Sequence, residues 1–176
     1  MQSSGENSLT DNDAMNRVFL RHAYQYASAH SKDPSTQLGA ILVKPNVGII
    51  SWGVNNIPEK LKTTKDRWEY PKKKQYVEHA ERNALYKCTS RAICTAGMVM
   101  YCPWFACADC ARAIIQCGII GVVGHKEIYE LTNDRWKETT DIGISILKEA
   151  GVECNIWSGK IGNGLCVRVN GTKFHP

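Results

Sequence analysis

Between Leu38 and Trp157 the chain alternates short apolar runs with helix-length stretches, and that alternation leaves few folds open. Leu38–Val43, Ile49–Gly53, Met98–Cys102, Ile119–Gly124 and Val152–Trp157 read as strands. Glu78–Cys88 and Cys107–Cys117 read as helices, as does a segment that starts at Asp134 or Thr139 and ends at Ala150, with Gly151 behind it. The Pro45–Gly48 turn is short enough to join the first two strands as an antiparallel hairpin. The later strands are each separated by a helix, which implies parallel members and helices lying on the sheet. A further helix, capped by Asp11 or Asp13, runs to about His30, with Met15, Val18, Phe19, Ala23 and Tyr26 spaced for one apolar face. Lys32-Asp33-Pro34-Ser35 ends it. The expected class is α/β: three layers, a mixed five-stranded central sheet with helices on both faces.

A chain of 176 residues fits one domain with a sizeable core. Residues 1–10 read as a flexible N-terminal tail, 11–157 as the folded domain, and the Gly-rich 158–176 as a C-terminal extension forming a short hairpin or an ordered tail. The polar start has no apolar core of a signal peptide, and no apolar run approaches membrane-spanning length. Eight cysteines in such a chain point to free thiols in a reducing cytoplasm rather than a disulfide framework. Six of them, Cys88, Cys94, Cys102, Cys117, Cys154 and Cys166, read as small buried hydrophobes. A net charge of +5 suits an anionic small substrate and does not by itself call for long nucleic acid.

Two short motifs carry chemistry. His79-Ala80-Glu81 and Cys107-Ala108-Asp109-Cys110 supply one imidazole and two thiolates, three zinc ligands that leave the fourth tetrahedral position to water. Both groups fall at predicted helix starts, where N–H groups and the positive dipole end stabilise thiolates. The i, i+3 spacing places Cys107 and Cys110 on one helical face. Glu81, two residues past the histidine, can carry a proton between a zinc-activated water and a substrate. A redox pair or half of a structural zinc site also contains Cys-x-x-Cys. The redox motif, however, makes no use of His-x-Glu, and a structural site needs a fourth protein ligand.

The stretch from Asn55 to Tyr76 is long, polar and rich in lysine, a length typical of functional loops. Lys72, Lys73 and Lys74 close it, and Asp66-Arg67 lies within it. A run of this kind is commonly a solvated face, and it can also hold a phosphate.

His79-Ala80-Glu81-Arg82-Asn83-Ala84-Leu85 resembles the first motif of the cytidine deaminase superfamily, and Pro103 to Cys110 the second. Within it the chain is most similar to deoxycytidylate (dCMP) deaminases of bacteriophage type, over about residues 15–157. Gly53-Val54-Asn55-Asn56-Ile57-Pro58 resembles the family's Gly-Tyr-Asn-Gly-x-Pro loop. Ala106 stands where the family carries a proline, and Val54 and Asn56 replace its tyrosine and second glycine.

The resemblance implies the cytidine-deaminase-like fold and one catalytic Zn2+ on His79, Cys107 and Cys110. It implies attack of the activated water on C4 of cytosine, with Glu81 as proton carrier, and a product, dUMP, that feeds thymidylate synthesis. Asn55, Ala80 and Tyr129 are the implied substrate contacts, while Asn55 as a turn residue and Tyr129 as packing are the plain alternatives. Trp136, seven residues past Tyr129, fits the same loop, and its plain reading is a core or interface residue. Arg67, Lys72, Lys73 and Lys74 are candidates for phosphate or effector contacts. The family further implies dCTP as activator, dTTP as inhibitor, Mg2+ accompanying the triphosphate, and a homo-hexamer, in the host cytoplasm if the chain is viral. No membrane and no obligate nucleic acid are expected. Two other readings share the motifs: a deaminase of free cytidine, guanine or tRNA adenosine, and a single-stranded nucleic-acid-binding module, for which Trp68, Tyr70 and Tyr76 among the lysines would be the stacking platforms.

Overall fold

The structure, a computed structural model, describes residue 10 and residues 12–176. The expected tail therefore lies outside the described residues except for Thr10, which is buried. Its carbonyl accepts from the side chains of Asn16 (2.6 Å) and Asn155 (2.7 Å).

Helix α1 (Asp13–His30) is capped by Asn12, whose side chain accepts from the Met15 N–H at 3.0 Å, so Asp13 is the first helical residue rather than the cap. Its buried face is Asn16, Phe19, Leu20, Ala23, Tyr24 and Ala27, while Met15 and Val18 are 43% and 47% exposed. The apolar stripe is thus rotated from the expected one. On the buried side the Asn16 Nδ2 donates to the Thr10 carbonyl, while its buried Oδ1 has no hydrogen-bond partner among the described residues.

Strands β1 (Gly39–Lys44) and β2 (Gly48–Val54) form the hairpin. A long excursion follows, with a 3-10 turn at Lys65–Trp68 and a one-turn helix α2 (Lys73–Tyr76), before α3 (Ala80–Thr89). Then come β3 (Val99–Tyr101), α4 (Ala108–Gln116), β4 (Gly121–His125), the one-turn α5 (Lys126–Tyr129), α6 (Asp134–Glu149) and β5 (Glu153–Trp157). The C-terminal segment does form a hairpin, β6 (Val167–Val169) and β7 (Thr172–Phe174).

The central sheet has the order β2-β1-β3-β4-β5. β1 pairs antiparallel with both β2 and β3, and β3, β4 and β5 run parallel. Alternation along the strands separates two cores. Ala40, Leu42, Met100 and Val122 pack with residues of α3, α4 and α6 on one face. Ile41, Val43, Tyr101 and Val123 pack with α1 and the C-terminal hairpin on the other. Of the six remaining cysteines only Cys88 and Cys102 are buried, Cys94 is exposed, and the other three are intermediate. Among the described residues no helix is long and apolar enough to cross a membrane.

At the end of β4, His125 is buried in the second core. Its Nδ1 lies 2.7 Å from the Tyr24 hydroxyl and its Nε2 2.8 Å from the Gly159 carbonyl, and its ring stacks on Trp157. Nε2 also lies 2.8 Å from a Glu127 carboxylate oxygen. Burial outweighs Gly159 and Glu127 and holds the His125 pKa below its ordinary value of 6.5. The folded state therefore binds fewer protons than the unfolded state once the pH drops below about 6.5, and stability falls with pH from there. We expect urea midpoints between pH 8 and pH 5 to decline below pH 6.5, and His125→Gln to flatten that decline.

Candidate metal centre and active site

The parallel strands β3 and β4 point their carboxyl ends at one rim of the sheet, where ligands of α/β folds collect. β3 leads through Pro103–Ala106 to Cys107, the N-cap residue of α4. His79 is likewise the N-cap residue of α3. Both residues have extended backbone, and neither side chain makes a capping hydrogen bond, so both are available as ligands. His79 Nδ1 lies 3.5 Å from Cys107 Sγ and 3.4 Å from Cys110 Sγ. The three ligand atoms all lie within 4.8 Å of one another and form the metal-competent cluster found among the described residues. Ordinary Zn–N and Zn–S bonds at a tetrahedral angle place such atoms about 3.5 Å apart, so the donor set fits zinc as it stands.

Electrostatics agree. A hydrogen bond from Cys110 lowers the Cys107 pKa to about 4, against the cost of burial, while the same bond raises that of Cys110. Cys107 thus favours the thiolate, the form that binds a cation. Burial opposes a charge on His79, yet its hydrogen bond with Cys107 and the nearby Glu81 raise its pKa. Glu81, in the first turn of α3, is 6% exposed, and burial pushes its carboxyl up.

Two glycines hold this arrangement. A Cβ on Gly53 of β2 would collide with the Ala80 carbonyl and the Ala84 nitrogen, so the missing side chain lets the strand lie against the first turn of α3. A Cβ on Gly143 of α6 would collide with the Ala106 carbonyl and press on Cys107, so α6 packs directly on the backbone of the ligand loop.

A cleft of about 380 Å³ opens onto the cluster. His79, Ala80, Glu81 and Cys107 line it, together with Trp104, Phe105 and Trp136. The Trp136 ring stands edge-on to His79 with centroids 5.8 Å apart. A second group of lining residues is polar: Asp33, Ser35, Thr36, Asn55, Lys73 and Asn170.

The structure redistributes the expected contacts. Asn55 lines the cleft, but its amide is spent. Nδ2 donates to Asp33 (2.9 Å) and to the Thr36 carbonyl (2.6 Å), and Oδ1 accepts from Leu38 N–H (2.7 Å) and the Ser31 hydroxyl (2.8 Å). All four hydrogen-bonding capacities are used, so the side chain holds the wall together rather than reaching out of it. Ala80 lines the cleft as expected. Tyr129 is not among the lining residues, and its hydroxyl donates to Asp141 at 2.6 Å. Trp136, expected in the core or an interface, lines the cleft instead.

Of the cations, Lys73 and Lys74 line the cleft. Lys72 pairs with Asp66 at 2.8 Å, and Arg67 donates to the Lys62 carbonyl and lies over the Tyr76 ring. Neither lines the cleft. Of the three aromatic residues of the excursion, Tyr76 lies under Arg67 and Tyr70 under Lys74, while Trp68 lines the cleft, as does Tyr70. Asp33 and Asn170 had no signal in the sequence, and Trp136 had a weak one, its place seven residues past Tyr129. Asp33 read only as part of a helix-ending turn.

Lys73 Nζ lies 2.7 Å from Asp33, whose side chain is fully buried while that of Lys73 is 23% exposed. Asp33 also accepts from the N–H groups of Ser35 and Thr36. We expect Asp33→Ala, which strands several donors, to cost about 3 kcal/mol of stability, and Lys73→Met, at the wetter end, about 1 kcal/mol, measured by denaturant unfolding.

Residues 14–126 match the cytidine and deoxycytidylate deaminase zinc-binding region. The chain belongs to this family. Its zinc site is His79, Cys107 and Cys110. Among its relatives, an uncharacterized deaminase in the luxG 3' region of Aliivibrio fischeri is 35% identical over 123 residues, covering 70% of this chain and 80% of that one. A probable deoxycytidylate deaminase of Caenorhabditis elegans is 37% identical over 121 residues, covering 65% of this chain and 56% of the relative. A solved dCMP deaminase from the cyanophage S-TIM5, in complex with dCMP and dUMP, superimposes with a TM-score of 0.65 at 26% identity, covering 83% of this chain and 98% of that one. This deaminase thus has the mixed five-stranded sheet and flanking helices expected of the cytidine-deaminase-like fold.

Proposed function

We propose that this chain converts dCMP hydrolytically to dUMP with release of ammonia. The observation that carries the reading is its likeness, over nearly the whole of the other chain, to the cyanophage enzyme whose structure holds dCMP and dUMP. Zinc, when bound, supplies the Lewis acid that brings a water to its reactive form near neutral pH. His79, Cys107 and Cys110 hold it at the rim of the sheet. Glu81 takes a proton from the water, delivers one to N3 of the base, and passes one to the departing amine. Its burial suits the task, because a carboxyl with a raised pKa exchanges protons more evenly at neutral pH. Ala80, at the first position of α3, offers its N–H to the base edge. Trp104, Phe105 and Trp136 give the apolar walls that a flat base needs.

The same reading includes dCTP and dTTP as opposing effectors, with Mg2+, on a homo-hexamer. The basic loop from Asn55 to Lys74 suits the triphosphates, and the hexamer follows from the family resemblance alone. A cytoplasmic location belongs with it, supported by eight cysteines that form no disulfide.

Ammonia release decides the substrate. dCMP, deoxycytidine, guanine, tRNA and single-stranded DNA are offered in parallel, with and without dCTP or dTTP. dCMP is expected to be the preferred substrate. Turnover of guanine or tRNA with dCMP inert would overturn the reading.

A further inference from the structure

The C-terminal hairpin lies beyond the matched zinc-binding region, yet it reaches the cleft. Its turn is Asn170-Gly171, with φ of 51° and 81°, the left-handed pair of a tight two-residue hairpin turn. Val167 and Val169 are buried in the second core. The strand is stitched to the segment after α1 twice: Gln37 N–H donates to the Arg168 carbonyl at 2.8 Å, and Arg168 N–H to Gln37 Oε1 at 3.1 Å. The turn itself is fastened to the polar wall. Gly171 N–H donates to the Ser35 carbonyl at 2.7 Å, and Asn170 N–H to the Thr36 hydroxyl at 3.2 Å. Asn170 therefore stands beside the Asp33, Ser35 and Thr36 wall and lines the cleft with it.

The Asn170 side chain is lightly committed. Its Nδ2 makes one long bond, 3.4 Å, to the Leu131 carbonyl, and its Oδ1 has no hydrogen-bond partner within the protein among the described residues. This is the reverse of Asn55, whose amide is spent. On the same wall the Lys73 charge is neutralised by Asp33, and Lys74 has no carboxylate partner among the described residues. The metal and Glu81 take the base, so a polar wall with a spare amide and a spare ammonium is suited to the sugar and phosphate.

We propose that the tip of the C-terminal hairpin is part of the substrate cleft and that Asn170 hydrogen-bonds the sugar-phosphate half of the nucleotide. The inference rests on the dCMP reading above. An amide that donates to a phosphate oxygen or accepts from a hydroxyl adds binding without touching the reacting carbon. It therefore acts on KM rather than on kcat.

Two substitutions keep the left-handed turn. Asn170→Gly removes the side chain and tolerates positive φ. Asn170→Asp keeps its shape and adds a negative charge. Both are purified with zinc, checked for zinc content and melting temperature, and assayed for dCMP turnover and for competitive inhibition by dUMP. Asn170→Gly is expected to raise KM for dCMP and Ki for dUMP about tenfold, the loss of one hydrogen bond to a charged group, with kcat within about twofold. Asn170→Asp is expected to raise both further, through repulsion of the phosphate. KM and Ki unmoved in both variants overturn the proposal. So does a loss confined to kcat, zinc content or melting temperature, which would make the hairpin a brace. A wild-type protein that neither turns over dCMP nor binds dUMP sinks the substrate reading instead, and is distinguished by failing before any variant is compared.

Discussion

Glu81→Gln is expected to keep its zinc and lose about 10²–10⁴-fold in dCMP turnover, the range supplied by a positioned proton carrier. The substitution is nearly isosteric, and it removes the only thing the mechanism asks of this side chain, the ability to take and return a proton. Glu81 is buried beside the ligands without being one of them, so the His79, Cys107 and Cys110 cluster is left intact. Replacing a buried carboxylate by a neutral amide does not add a desolvation cost, so the melting temperature should hold or rise. Metal analysis with steady-state kinetics on the same preparation makes the check. A variant with full zinc and full rate would remove Glu81 from the mechanism.

Cys107→Ala is expected to lose both the metal and the activity. Cys107 is one of the three ligands, with its Sγ 3.5 Å from His79 Nδ1. Without it, one imidazole and one thiol remain, too few ligands to hold zinc against dilution. The wild-type melting temperature should rise with added zinc by simple linkage, and that of Cys107→Ala should not respond. Zinc content should fall from one per chain to background, with ammonia release following it. Cys166→Ala, at an intermediate cysteine outside the cluster, serves as the control that keeps both.

Much of this architecture is legible in the residues because it is local. The hairpin, the parallel strands and the two ligand-bearing helix starts each follow from periodicity, turn residues and short spacings. What escaped was helical phase and distant partnership. In α1, Met15 and Val18 looked like core residues and Asn16 did not. The Asn16 Nδ2 finds a distant acceptor, the Thr10 carbonyl, that no helical periodicity announces. The three lysines at the end of the excursion read identically in sequence. They sit on a helical turn, where successive side chains diverge by about 100°, so one faces Asp66, one Asp33 and one Tyr70. The bonds that Asn55 and Tyr129 make within the protein, to partners such as Asp33 and Asp141, could not be counted from the sequence. Asn170 became visible only when the C-terminal hairpin was folded back against the cleft that Trp136 also lines.

The bare backbone of Gly143 against the loop of Ala106 and Cys107 has a consequence for how such a protein can drift. The ligand loop and α6 touch main chain to main chain, with no side chain between them to absorb a shift. A helix that contributes no metal ligand is therefore expected to limit how freely the loop can relax, and with it how fast zinc exchanges. Variation far from either motif can tune the lifetime of the holoenzyme while every signature residue stays unchanged.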